Sequence, residues 1–137
     1  MSRLTHLLDT SVYSQPLRPK PLPSVISHWK RLGDATLAIS AICESELIYG
    51  LEKRASQRLW LEYRSSLKDR LVLLPIDQAV AHWFGAMKAD CDKKGTPRAD
   101  FDLLIAATAL QHQLILSTCN PKHFQDIPGL SVEDWNQ

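Results

Sequence analysis

The chain has 137 residues, 45% of them hydrophobic and 23% charged, with a net charge of +1; this is enough for one domain with a real core, at an ordinary globular composition. Such a balance excludes a protein coated in basic residues to hold nucleic acid, so any contact with a polyanion is local, at Arg18/Lys20, Lys53/Arg54/Arg58 or Lys93/Lys94/Arg98. Three widely spaced cysteines, Cys43, Cys91 and Cys119, exclude a disulfide framework and a thiolate zinc site, and with no signal-peptide order and no apolar run of about 18–20 residues the expectation is a cytoplasmic protein without a membrane span.

Residues 4–8 read as a short buried strand ending at Asp9. Residues 11–23 hold four prolines, Pro16, Pro19, Pro21 and Pro23, which predicts a turn or broken helix. Over 23–32, Val25, Ile26, Trp29 and Leu32 recur at helical spacing, and Gly33-Asp34 ends the pattern. Residues 35–39 form a second strand candidate. Ser40 is suited to cap a helix running to about Arg54, with Ile42, Leu47, Ile48, Tyr49 and Leu51 on its apolar face. A further helix over 56–69 carries Leu59, Trp60, Tyr63 and Leu67.

Residues 71–76 are a third strand, which Pro75 assigns to an edge or a strand end. Asp77 can cap a helix over 78–94 with Ala81, Phe84, Gly85 and Lys88 on one side, and Gly95-Thr96-Pro97 breaks it. Residues 102–112 form a small, alanine-rich helix of the kind that packs closely on a sheet. Residues 114–117 are a fourth strand and 130–133 a last short one. Strands alternating with helices predict a single α/β domain over 1–137: a three-layer α/β/α sandwich around a mainly parallel sheet.

Three acids stand out against this pattern. Asp9, Glu46 and Asp102 each border or interrupt an apolar segment, where a carboxylate is seldom buried unless paired or bound to metal. In parallel α/β sheets, sites form beyond the carboxyl ends of the strands. Asp9 lies at such an end, Thr118 and Asn120 at another, and Asp102 in the first turn of a helix that packs beside both. Three carboxylates at close range repel one another, and a hard divalent cation such as Mg2+ or Mn2+ offsets that charge. Simpler roles compete. Asp9 can cap the turn at Thr10-Ser11, and Asp102 can favour a helix N-terminus. Asp100 reads as a cap or a solvent-facing acid. Glu46 is the hardest to explain as structure alone, because its apolar neighbours would favour Leu or Ala.

These acids lie in local words that resemble PIN-domain ribonucleases, most closely the VapC-type toxins of toxin–antitoxin pairs and their FitB-like subgroup. The words are Leu7-Leu8-Asp9-Thr10-Ser11-Val12, Leu17-Arg18-Pro19, Ile39-Ser40-Ala41-Ile42, Ser45-Glu46-Leu47-Ile48-Tyr49-Gly50, Asp102-Leu103-Leu104-Ile105-Ala106-Ala107-Thr108-Ala109, Thr118-Cys119-Asn120-Pro121-Lys122-His123-Phe124, Pro128-Gly129-Leu130 and Trp135. The resemblance implies that Asp9, Glu46 and Asp102 are catalytic acids and ligands of Mg2+ or Mn2+, with Thr10, Ser11, Thr118 and Asn120 in support. It implies an endoribonuclease that cuts a chosen tRNA or rRNA to stop translation, leaving a 3′-hydroxyl and a 5′-phosphate. It also implies a homodimer held in check by a cognate antitoxin, with Trp60 and Tyr63 as candidates for partner contact or for core packing.

The chain departs from the pattern where many relatives carry a further acid, at Asn120 or just before Phe124, where this chain has His123. That departure bears on the number of metal ions and leaves open a second class, a PIN fold that works by binding RNA or protein. His123 reads as a turn residue or as a substrate contact. A phosphatase of the haloacid dehalogenase kind is disfavoured, because it needs a second acid two residues after the first and position 11 is Ser.

Overall fold

In the computed structural model, which describes residues 3–137, five strands form one sheet in the order β3-β2-β1-β4-β5, parallel throughout. The strands are β1 (His6–Leu8), β2 (Leu37–Ser40), β3 (Val72–Leu74), β4 (Ile115–Thr118) and β5 (Val132–Asp134). The helices are α1 (Thr10–Tyr13), α2 (Pro23–Leu32), α3 (Ala41–Arg54), α4 (Gln57–Ser66), α5 (Gln78–Lys94) and α6 (Asp100–His112). This is the expected α/β/α arrangement.

The two-residue alternation of strands builds the layers. Leu7 and Ala38 face a core with Ile105, Ala106, Ala109 and Leu116, while Leu8, Leu37 and Ile39 face the opposite core with Val12, Val25, Cys43 and Leu47. Helix α6 lies close on the sheet because its buried face is alanine. Ala106, Ala107 and Ala109 are fully buried there.

The elements follow the sequence pattern with specific shifts. β1 is shorter than residues 4–8, yet pairing reaches back to Thr5, whose N–H donates to the Thr36 carbonyl at 2.8 Å and whose carbonyl accepts from Ile115 at 3.0 Å. β3 is an edge strand, as Pro75 suggested, and β5 is the other edge. Ser40 and Asp77 cap their helices through bonds from Cys43 and Val80, at 3.1 and 3.0 Å. Helix α6 starts two residues earlier than the apolar run, at Asp100.

The expected α3 face largely holds: Leu47 and Leu51 are buried and Ile42 and Ile48 pack against the cores, with Cys43 joining them at a spacing of four, while Tyr49 is 65% exposed. In α5, Val80 and Cys91 are buried, whereas Ala81 and Gly85 are exposed. Of the two aromatics considered for partner contact, Tyr63 is core, and Trp60 is half-buried with its ring edge-on to Tyr63.

The order of strands decides where a site can form. The chain leaves β1 to build β2 and β3 on one side, then crosses back to place β4 and β5 on the other. The connections diverge between β1 and β4, so a crevice opens at their carboxyl ends. Asp9 follows β1 and Thr118 ends β4.

Candidate active site

Asp9 is almost fully buried at the end of β1 and forms the N-cap of α1. Its backbone N–H donates to the Ser117 carbonyl at 3.0 Å, which fixes it to β4. Its Oδ1 accepts from the Ser11 hydroxyl at 2.5 Å and from the Val12 N–H at 3.3 Å. Its Oδ2 accepts from the Thr118 hydroxyl at 2.7 Å. Burial pushes the Asp9 carboxyl above its ordinary range, and the hydroxyls of Ser11 and Thr118 pull it partly back. Capping and site-building are therefore done by one side chain.

The supporting hydroxyls are themselves fixed. The Ser11 Oγ accepts from the Cys119 N–H at 2.9 Å, and the Thr118 Oγ1 accepts from the Asn120 N–H at 2.9 Å. A closed set of bonds thus ties the start of α1 to the turn after β4. Asn120 takes part through its backbone, while its side chain is exposed.

Glu46 projects from α3, which packs against both α1 and α6. Its Oε1 accepts from the Thr10 hydroxyl at 2.5 Å, so the residue next to Asp9 orients the second acid. Asp102 lies in the first turn of α6, half-buried. Burial raises its carboxyl above the ordinary range. His123 opposes that shift, Glu46 adds to it, and Arg98 opposes it. The His123 Nδ1 lies 3.5 Å from the Asp102 Oδ2, with its side chain 57% exposed.

The structure links Glu46 to Thr10, the residue after Asp9, and sets Asp102 within electrostatic reach of Glu46, with Thr10, Ser11 and Thr118 holding Asp9 and Glu46. His123 closes the turn Pro121–His123, as read from the sequence, and its ring also neighbours the third acid. Asp100 faces solvent and bonds Lys88 at 2.8 Å, as a non-ligand acid should. Among the described residues, no three His, Cys, Asp or Glu side chains cluster tightly enough to hold an ion by protein ligands alone. The donors are all hard oxygen, and two of the carboxyls are destabilised in their charged form. Such a set suits a magnesium-like ion that keeps several of its waters and touches only one or two carboxylates.

Arg98 was expected to belong to a basic rim. Instead its guanidinium donates to the His123 carbonyl at 2.8 Å and also to the Gln125 carbonyl. It braces the turn after β4 against the segment leading into α6. No motif announced this, because the partners are backbone carbonyls. Lys94 is likewise engaged, pairing with Asp90 at 3.0 Å.

The parallel sheet, with the Asp9 carboxylate held at its switch point by Thr118, is that of a PIN domain: the PIN-domain model matches residues 6–130, and the chain belongs to that family. Within it, the chain groups with the VapC ribonucleases and FitB toxins. It is 33% identical over 132 residues to the tRNA(fMet)-specific endonuclease VapC of Salmonella typhimurium, covering 96% of this chain and 98% of that one. It is 31% identical to toxin FitB of Neisseria gonorrhoeae over 118 residues, 82% of this chain and 85% of that one. Among solved structures, DNA-bound VapBC of Salmonella typhimurium superposes with a TM-score of 0.83 at 32% identity, covering 96% of this chain and 98% of that chain.

Proposed function

We propose that this chain is a metal-dependent endoribonuclease and the toxin of a toxin–antitoxin pair. What supports the reading is the similarity to relatives named ribonucleases along nearly their whole length, together with Asp9 at the carboxyl end of β1 held by Thr118 of β4. Asp9, Glu46 and Asp102 would hold Mg2+ or Mn2+, partly through water. When bound, the ion supplies Lewis acidity and charge neutralisation at a phosphodiester.

The chain's own residues supply the order around that centre. Thr118 and Ser11 fix both oxygens of Asp9, so its carboxylate cannot rotate away when substrate enters. Thr10 does the same for one oxygen of Glu46. His123 stands where the further acid of many relatives would be. It offers a nitrogen beside Asp102 at the open side of the crevice, suited to contact a phosphate oxygen.

A structured RNA is the substrate class we favour, and tRNA within it, because two relatives are named for tRNA(fMet). A cognate antitoxin is the expected partner, since similar structures are VapBC and FitAB assemblies. Self-association is expected as well: the edge strand β3 exposes Val72 and Leu73, and Ile76 is also exposed nearby in sequence.

The test is cleavage of total small RNA and ribosomal RNA by the purified chain, with Mg2+ or Mn2+, with EDTA, and beside Asp102→Asn. Discrete fragments that need the ion and vanish in the variant support the proposal. If wild type and variant give identical patterns, the assignment of Asp102 is wrong. If the folded chain leaves every RNA intact, the alternative of a PIN fold used for binding takes its place.

A further inference from the structure

From Asp92 to Asp100, the link between α5 and α6, every residue is exposed except Arg98, which is partly buried. Arg98 lies two residues before α6 and four before Asp102. Its side chain leaves its own segment and crosses to the one between β4 and β5. There it donates to the His123 carbonyl at 2.8 Å and to the Gln125 carbonyl.

That second segment is only partly held by packing. Phe124 and Ile127 are buried and anchor it, whereas His123, Gln125 and Asp126 are exposed. Asp126 also sits in the left-handed region, at φ 64°, which few residues with a side chain adopt. The His123 ring has its Nδ1 3.5 Å from the Asp102 Oδ2, yet its side chain is 57% exposed. Burial therefore does little to fix the ring, and its place depends on the backbone of the turn. The His123 N–H donates to the Asn120 carbonyl at 3.0 Å on one side, and Arg98 takes the His123 carbonyl on the other.

A guanidinium presents its donors in a rigid plane, so two acceptors on one turn fix orientation as well as distance. A lysine carries the same charge as a point and lacks the fork. Arg98 and His123 both pull the Asp102 carboxyl down against the lift of burial, so both lie within electrostatic reach of it.

We infer that Arg98 is a positioning residue of the active site. By gripping the carbonyls of residues 123 and 125 it sets the His123 ring against Asp102, while its own backbone leads into the helix that carries Asp102. The inference rests on the ribonuclease reading and extends it to a residue that acts through others. Two simpler roles predict different results. A positive charge near Asp102 is preserved by lysine. A general contribution to stability lowers the Tm and leaves the spacing of His123 and Asp102 unchanged.

The test reads that spacing first without catalysis. The ring signals of His123 are followed by NMR in the full chain, in EDTA and at one fixed pH, and are assigned by their loss in His123→Gln. Spectra are compared with and without Asp102→Asn in three backgrounds: wild type, Arg98→Lys and Arg98→Ala. Each is recorded below its own melting transition, and Arg98→Lys carries the test if the alanine variant fails to fold. Asp102→Asn should move the His123 signals in wild type. That displacement should shrink at least about two-fold in Arg98→Lys, which keeps the charge but not the fork, and vanish in Arg98→Ala. Equal displacements in all backgrounds, none in wild type, or a lysine variant that behaves as wild type would each overturn the inference.

Cleavage of the RNA pool by proteins with Asp102 intact then separates the two levels. Arg98→Lys should cut about 10–100-fold more slowly than wild type, the scale of a reacting group moved by about 1 Å. Wild type that cuts, with Arg98→Lys cutting equally fast, overturns the positioning role and leaves the nuclease standing. Wild type that cuts nothing, with His123 still coupled to Asp102 through Arg98, overturns the nuclease and leaves the bracing of the turn.

Discussion

Thr118→Val tests the frame of the site most directly. Thr118 is fully buried, and its hydroxyl both donates to the Asp9 Oδ2 at 2.7 Å and accepts from the Asn120 N–H at 2.9 Å. Valine has nearly the same shape, so no cavity forms and the change isolates the hydroxyl. A hydrogen bond to a charged acceptor is worth about 1.5–3 kcal/mol. The Asn120 N–H also loses its acceptor, in a part-buried position. The expected loss is thus about 2–3 kcal/mol, or roughly 6–12 °C in Tm for a chain of this size. Losing the donor also drives the Asp9 carboxyl further up, away from its charged form. Cleavage should fall about 10–100-fold, as when a residue supporting a metal ligand is removed. Urea unfolding followed by fluorescence and circular dichroism gives the stability, and initial rates on the identified RNA give the activity. Thr118→Ser, which keeps the hydroxyl, should recover most of both. A valine variant as stable and as active as wild type would show that the Thr118 bond neither holds Asp9 nor matters to the reaction.

Three further outcomes are expected. Mg2+ should raise the Tm of the wild type by binding the native state only, and Asp102→Asn should lose that response together with cleavage while its far-UV spectrum is unchanged; a full Mg2+ response in the variant would remove Asp102 from the ion site. Leu116→Ala, on the inner strand β4 and fully buried, should cost about 2–5 kcal/mol in urea unfolding, and a loss under about 1 kcal/mol would mean the core around it collapses to fill the gap.

The third outcome concerns pH. Burial works against the charge of Asp34 and of Glu133, yet both carboxyls lie below their ordinary values of 3.8 and 4.5, because Arg70 and Trp29 bond the first and Trp135 and His6 the second. Their stabilising contribution is complete above those values and is lost as pH falls through the depressed native ones. Asp34→Asn with Glu133→Gln should therefore flatten the acid limb of the stability curve below about pH 4.5. Asp9 and Asp102 carry the opposite sign, since raised carboxyls are relieved by protonation. An acid limb unchanged in the double variant would mean other groups set it.

Much of the architecture was legible in the chain. The alternation of strands and helices, the caps at Ser40 and Asp77, the edge position foretold by Pro75 and the alanine face of α6 all follow from local chemistry: a cap needs one side-chain oxygen, an edge tolerates a missing N–H, and small residues permit close packing. The acids Asp9, Glu46 and Asp102 were visible too, because each is a charge set against an apolar segment. Less legible were Tyr49 of α3 and the buried side of α5, where a helical repeat marks periodicity but cannot say which stripe meets the sheet.

What the sequence determined by itself is therefore the list of elements, and it marked the three acids as charges set against apolar segments, both of which are written in neighbouring residues. The tertiary structure alone decided how they combine. Parallel pairing in the order β3-β2-β1-β4-β5 brings Thr118 to Asp9 across 109 positions, aligns Glu46 with Thr10 across 36, and sets His123 against Asp102. Arg98 bracing two carbonyls is likewise a product of packing. A side chain's role there depends on distant backbone, which leaves no trace in the residues on either side of it.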